Sequence, residues 1–325
     1  MFKQKPGDKI LIVFSDPGGA KPCLAIADEI DPSGLLVISD REYSFYTDFR
    51  SKVTIINSDL ELEKIIDDFK PNLIFTGTSY TSNIEKTTIL LAKRRGIHIK
   101  SFVDHWTSIS NRFRDDKGNL NLPNDIWVLD ERARLIAVDE GISSESLYIS
   151  GNPYHMWLKN WKPKITRELF FKNIGLDTEK RIILFAPDPL SNVNGLDTYG
   201  FDELSASIKL VNCVNDSSVE FRDATQILVK MHPNQVVKEL ENIFFGQANF
   251  TILPPEINTN ESIYFSDIVV GFFSSILIEA DLMDKPVVRF FEKDSKNDPL
   301  IDQDLGIKTN EDNLIIDILK KLSIK

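Results

Sequence analysis

Residues Ser266 to Arg289 read SDIVVGFFSSILIEADLMDKPVVR. The apolar run Ile268 to Val270 reaches Gly271 and then the pair Ser274-Ser275, after which Leu277, Ile278, Ala280, Leu282 and Met283 recur at helical spacing. That order predicts strand, turn, helix. Such a turn puts serine hydroxyls and the first free backbone N–H groups at a helix N-terminus, where donors and dipole together favour an anion. A phosphate suits the place, although a serine that merely caps the helix is the plainer reading of the pair alone. Phe272 and Phe273, directly after a buried strand, are expected to pack in the core.

Back at the start of the chain, Lys9 to Phe14 (KILIVF) is a continuous apolar run of the kind buried on both faces of a parallel sheet. Ser15-Asp16-Pro17-Gly18-Gly19-Ala20 follows as a small-residue turn before a helix through Leu24, Ala25, Ala27 and Ile30. It is neither a GxGxxG fingerprint nor a P-loop. Gly18 and Gly19 either admit a close approach to the backbone or make a tight turn. Strands at Leu35 to Ser39, Val53 to Ile56, Leu73 to Thr76, Ile99 to Val103, Ile126 to Leu129 and Leu147 to Ile149 then alternate with helices at Leu60 to Phe69, Ile84 to Arg95 and Glu131 to Val138. This βαβ series predicts a doubly wound parallel sheet, whose ligands bind outside the C-terminal strand ends. The loops Asp16 to Ala20, Gly77 to Ser82 and Asp104 to Ser110 should therefore share one edge. Asp104 suits a general base there, and His105 is either its partner, a substrate hydrogen-bonding group or a structural histidine.

Gly151-Asn152-Pro153 marks a hinge, after which a helix from Tyr154 to Trp161 is expected to cross to a second domain. The second half restarts with Arg181 to Ala186, whose end carries Pro187-Asp188-Pro189. A polar loop, Leu190 to Asp202, is expected to be mobile and functional. A helix from Phe201 through Asn212, a strand Gln226 to Met231 running into His232-Pro233-Asn234, a strand Phe250 to Leu253, the Ser-Ser element, a strand Pro286 to Arg289 and a closing helix Glu311 to Leu322 complete it. The expected architecture is α/β: two Rossmann-like doubly wound parallel-sheet domains, 1–153 and 154–325, facing a central cleft.

Composition narrows the class. The 325 residues suit two domains, and 42% hydrophobic with 27% charged residues is ordinary for a globular chain. A net charge of −11 argues against a nucleic-acid partner. Cys23 and Cys213 are too few and too far apart for a disulfide framework or a zinc cluster, which favours a reducing, cytoplasmic setting. No stretch reaches the roughly 18 apolar residues of a spanning helix. Peripheral association with the inner face of a membrane stays open.

Taken in order, the Gly-rich first turn, GNP at mid-chain, KMHP after a strand and DIVVGFFSSILIEA resemble the two-Rossmann-domain glycosyltransferases called GT-B. Within them, His-Pro followed by Ser-Ser is similar to bacterial sialyltransferases and polysialyltransferases and to CDP-glycerol glycerophosphotransferases. The resemblance implies transfer from a CMP- or CDP-linked donor to a glycan or glycolipid acceptor in surface polysaccharide synthesis. It implies that His232 and Pro233 lie against the nucleotide, that Ser274 and Ser275 hold its phosphate, and that Glu279 bonds a ribose or sugar hydroxyl, although a plain surface Glu fits as well. A departing phosphate needs a metal or fixed donors, and here the helix N–H groups, Ser274, Ser275 and His232, helped by Lys230 and Arg289, are expected to replace the metal. No cofactor is expected. Asp16 or Asp104 would be the base, while Gly18, Gly19 and Asp188 line the loops for acceptor or donor sugar.

Two acidic strings are set aside. Asp139-Glu140-Gly141 matches the acidic motif of the sialyltransferases, but Gly141 reads as a helix C-terminal glycine. Asp302-Gln303-Asp304 resembles DxD but lies in a polar loop. Other readings are a non-hydrolysing UDP-sugar 2-epimerase, which would carry Ser-Gly-Gly where this chain has Ser-Ser-Ile, and a non-catalytic nucleotide-sugar-binding subunit.

Overall fold

In a computed structural model, which describes residues 7–322 apart from 116, 177–178, 233–234, 236, 294–296 and 301–302, the apolar runs pair into two sheets. They belong to two units, Met1–Trp157 and Leu158–Lys325. Both are parallel α/β layers of Rossmann-like type.

The first unit holds β1 (Ile10–Phe14), β2 (Leu35–Ser39), β3 (Val53–Ile55), β4 (Leu73–Thr76), β5 (His98–Phe102), β6 (Asp125–Val128) and β7 (Leu147–Ile149). Their order across the sheet is β3-β2-β1-β4-β5-β6-β7, with every pair parallel. All five residues of β1 are fully buried, as a central strand covered on both faces must be. The winding reverses beside β1, so the crevice of this sheet opens at the C-terminal ends of β1 and β4.

At this crevice the expected glycine loop is instead the first turn of a helix, Pro17–Ala27, with Pro17 at its start. Proline needs no N–H there, and its fixed φ is already helical. The absence of side chains lets the helix settle on the loop after β4: a Cβ on Gly19 would lie 3.0 Å from the Thr78 nitrogen and 3.2 Å from Gly77 Cα. Gly19→Ala is accordingly expected to lower stability by about 1–3 kcal/mol, the usual cost of overpacking against backbone. Thermal unfolding measures it, and an unchanged Tm would mean the contact is looser than drawn.

The second unit holds β8 (Arg181–Ala186), β9 (Thr225–Val229), β10 (Phe250–Ile252), β11 (Ile268–Gly271), β12 (Val287–Phe290) and β13 (Ile307–Thr309), in the order β10-β9-β8-β11-β12-β13, again all parallel. Alternate residues of β8 enter two cores: Ile183 and Phe185 one, Ile182, Leu184 and Ala186 the other. That is the period-two geometry of a strand between two helical layers. The reversal falls between β8 and β11, so the loops after these strands meet.

Two sequence expectations change here. The stretch Leu190 to Asp202 is structured: it carries a 3-10 turn Leu190–Val193 and a short helix Gly195–Tyr199, and the buried Glu203 accepts from the Ser191 N–H (2.8 Å) and hydroxyl (2.6 Å). Its polar residues bond one another, which composition does not reveal. β13 went unread because it is a three-residue edge strand with two exposed positions. Among the described residues, no helix is long and apolar enough to cross a membrane.

Candidate functional site

In the first unit the three expected loops do come together, but their carboxylates have unequal freedom. Asp16 caps no helix with its side chain. It turns to the loop after β4, accepting from the Tyr80 N–H (2.9 Å), the Thr81 N–H (3.4 Å) and the Thr81 hydroxyl, and it pairs with Arg41 at 2.9 Å. Its own N–H donates to Ser79 Oγ (2.9 Å). Asp16 is thus a strut between the β1 and β4 loops, and a carboxylate holding four donors has little capacity left for a substrate proton.

Asp104 is placed differently. Its Oδ1 accepts from Arg112 Nη1 at 2.7 Å, and its Oδ2 lies over the helix start so closely that a Cβ on Gly18 would be 1.9 Å away. What the bare backbone of Gly18 admits is this carboxylate. Arg112 also donates to Thr78 Oγ1 (3.0 Å), and its guanidinium lies 4.4 Å from the centre of the Tyr80 ring. Sequence reasoning passed over Arg112, which sits in the 3-10 turn Ser110–Phe113 and is buried. Its only signal was a cation eight residues after Asp104 in a loop too irregular to show direction. The His105 Nδ1 accepts from the Thr107 N–H (3.2 Å), which leaves the ring proton on Nε2. Partial desolvation lowers the His105 pKa, with Asp104 opposing and Arg112 assisting, which favours the neutral imidazole.

The second unit has the predicted strand, turn and helix: β11, then Ser274 at the N-cap of helix Ser275–Leu282. Gly271 permits close packing, since a Cβ there would stand 2.9 Å from the Ala186 carbonyl oxygen of β8. Phe272 is core, while Phe273 is half-buried against Tyr199, Phe201 and Phe291. A group expected in a sugar loop reaches the turn. Asp188, from the end of β8, accepts from the Phe273 N–H at 2.9 Å. Burial pushes the Asp188 carboxyl up to about 6, opposed by the Phe273 N–H and by the Ser274 hydroxyl and N–H. Ser274 is therefore engaged with Asp188, and its carbonyl accepts from the Leu277 N–H (3.0 Å), whereas Ser275 is exposed at the helix start. Glu279, four residues on, is buried rather than a surface residue.

The expected cations are occupied. Arg289 is buried and bonds Asp298, the Phe272 carbonyl (3.1 Å) and the Leu300 carbonyl (3.5 Å), so it braces the turn from behind. Lys230 donates to the carbonyls of Ile257 (2.5 Å) and Pro255 (3.3 Å), and burial brings its pKa down to about 8. The exposed His232 has its N–H on Gln235 Oε1 (2.7 Å), and desolvation lowers its pKa. Pro233 and Asn234 lie outside the described residues, as does Asp302. Gly141 follows helix Glu131–Asp139 at φ 90°, the left-handed conformation expected of a helix C-terminal glycine, and Glu140 accepts from the Ser110 N–H (2.6 Å).

No protein-family model and no curated protein matches the chain. Solved structures do. A UDP-GlcNAc 2-epimerase from Methanocaldococcus jannaschii aligns with a TM-score of 0.65 at 14% identity, over 98% of this chain and 93% of that one. The fold is GT-B. UDP-GlcNAc 2-epimerase from Neisseria meningitidis, bound to UDP-GlcNAc, aligns at 0.62 and 14% identity, over 96% and 91% of the two chains. Anabaena HepE in complex with UDP aligns at 0.57 and 14%, over 96% and 89%. At such identities the likeness establishes the GT-B fold alone, and it lends nothing to the sialyltransferase or CDP-glycerol type or to a cytidine donor.

Proposed function

We propose that this chain is a UDP-sugar enzyme that works by acid–base chemistry on the sugar, of the 2-epimerase kind, in place of the CMP- or CDP-dependent transferase that the motifs suggest. The observation that carries the reading is Asp188, a carboxyl that burial pushes up to about 6, set at the start of helix Ser275–Leu282. Inverting a carbon beside the anomeric centre requires a proton to leave and return on the other face, so groups poised near neutrality are what the reaction needs. Asp104, held by Arg112 at 2.7 Å in the first-unit crevice, is the proposed general base. The diphosphate rests on Ser275 and the first N–H groups of its helix, with no metal invoked, while Glu279 and His232 serve the nucleoside or sugar. Ser274, which matches the serine of the Ser-Gly-Gly pattern, holds Asp188, while Ser275 and Ile276 stand where that pattern has glycines. The neighbours named with UDP and UDP-GlcNAc support the choice of nucleotide.

Thermal shifts with UDP, CDP, CMP and GDP test the donor, and proton NMR of UDP-GlcNAc incubated with the protein tests the reaction. UDP at about 100 times its Kd should add about 2.7 kcal/mol. Because a phosphate beside Asp188 favours its protonated form, binding takes up a proton and affinity should fall as pH rises above about 6. Asp188→Asn should flatten that dependence. Stabilisation by a cytidine nucleotide alone overturns the reading, and UDP binding with neither inversion nor release of UDP leaves a binding subunit.

A further inference from the structure

Beneath the first-unit crevice, Glu85 Oε2, Ser15 Oγ and Asp40 Oδ1 are buried without hydrogen-bond partners among the described residues, as is Arg112 Nε beside Asp104. Glu85 lies in the first turn of helix Ile84–Arg95, yet it turns inward and is 3% exposed. Its Oε1 accepts from the Ser15 N–H (3.0 Å) and the Ser79 hydroxyl (2.5 Å). Ser15 follows β1 and Asp40 follows β2. Phe14 and Ser39 are the last pair of the β1–β2 register, so Ser15 and Asp40 leave neighbouring strands at the same level. The other oxygen of Asp40 accepts from the Ser82 hydroxyl at 2.6 Å.

A buried carboxylate oxygen without a donor is costly, and Glu85 Oε2 and Asp40 Oδ1 both lack one. A single proton removes the deficit, because a protonated carboxyl donates as well as accepts. We propose that Glu85 and Asp40, with Ser15, form a buried proton site beneath the crevice, in which a proton on Glu85 Oε2 relieves the unpartnered carboxylates. The proton does more than neutralise. Ser79, which donates to Glu85, accepts from the Asp16 N–H (2.9 Å), so the site pins the β1 loop to the loop carrying Thr78, the partner of Arg112. Glu85 is a positioning residue for the crevice.

The electrostatics agree. Burial raises the Glu85 carboxyl to about 7, opposed by the Ser79 hydroxyl and the Ser15 N–H and assisted by Asp40. The facing groups are acidic or committed. Cys23, from helix Pro17–Ala27, is raised by burial, then by Glu85 and Asp104, and Arg41 and Arg112 are paired with Asp16 and Asp104. The sign follows from a folded value above the ordinary 4.5: the stability is complete below about 4.5 and lost as pH rises toward about 7.

The test is the melting temperature of the full chain across this pH range for wild type, Glu85→Gln and Asp40→Asn, with hydrogen exchange at Ser15, Asp16, Tyr80 and Thr81. Glutamine is a permanent neutral donor. Glu85→Gln should match wild type near pH 4.5 and exceed it by several degrees above pH 7, and those amides should lose protection with rising pH in wild type only. Asp40→Asn, which supplies Glu85 with a donor, should move the transition to lower pH. A Glu85→Gln curve parallel to and below wild type, or an unmoved transition in Asp40→Asn, overturns the proposal. So does stabilisation of wild type alone by sodium or potassium, which would make the occupant a cation. None of these readouts uses a sugar nucleotide, so the outcome is independent of the UDP reading.

Discussion

Asp298→Ala is expected to lower stability by about 3–5 kcal/mol, the largest effect of any single change considered. The side chains of Arg289 and Asp298 are 4% and 1% exposed, and their ion pair lies directly behind the Ser-Ser turn. Burial by itself would raise the Asp298 carboxyl, but the Arg289 guanidinium, the Leu300 N–H and Lys308 outweigh it and hold it below the ordinary value. Removing the carboxylate strands a buried guanidinium whose remaining bonds are to the carbonyls of Phe272 and Leu300. For a unit of this size the loss corresponds to a fall in Tm of about 10 °C. The double variant Arg289→Met, Asp298→Leu should recover most of it, since an apolar pair of similar volume avoids the cost of burying charge. The pair should also yield in acid: its contribution is complete above about pH 3.8 and is lost as pH falls through the depressed folded value. A single variant that melts within a degree of wild type would refute the structural role of Arg289 and return it to the phosphate.

Asp104→Asn should reduce kcat by roughly 10²- to 10⁴-fold, the range of a lost general base, while leaving UDP stabilisation intact. Asparagine keeps an oxygen for the 2.7 Å bond from Arg112, so the loop should hold its shape and the loss should be chemical. Asp16→Asn should behave in the opposite way. It removes the Arg41 ion pair and places an amide among the Tyr80 N–H, the Thr81 N–H and the Thr81 hydroxyl, which costs about 1–2 kcal/mol of stability with a smaller loss of turnover. Gly18→Ala should share the phenotype of Asp104→Asn, because its methyl occupies the position of Asp104 Oδ2. Steady-state kinetics beside thermal melts separate the cases. Equal turnover losses in the two Asp variants, with equal melts, would remove the distinction between base and strut.

Much of this molecule is legible in local pattern. Continuous apolar runs such as KILIVF and RIILFA become central strands because only a sheet covered on both faces hides every side chain of a strand. The element at Ser266 to Arg289 forms where it is read, since apolar periodicity and an N-cap serine are properties of a few consecutive residues. Pattern leaves the glycines open. Gly18-Gly19 in isolation reads either as a close approach to the backbone or as a tight turn, and Asp104 and the backbone of Gly77 occupy the space that they leave.

The sequence by itself determined the two α/β halves, most of the strands and helices, and the turn at Ser274. The tertiary structure alone decided which loops face each other. Strand order sets β1 beside β4 and β8 beside β11, and so joins Asp16 to Tyr80 across 64 residues and Asp188 to Phe273 across 85. The physical reason is that hydrophobic periodicity reports which face of an element is buried, while a polar side chain in a loop has no period and takes its partner from whatever strand the sheet places next to it.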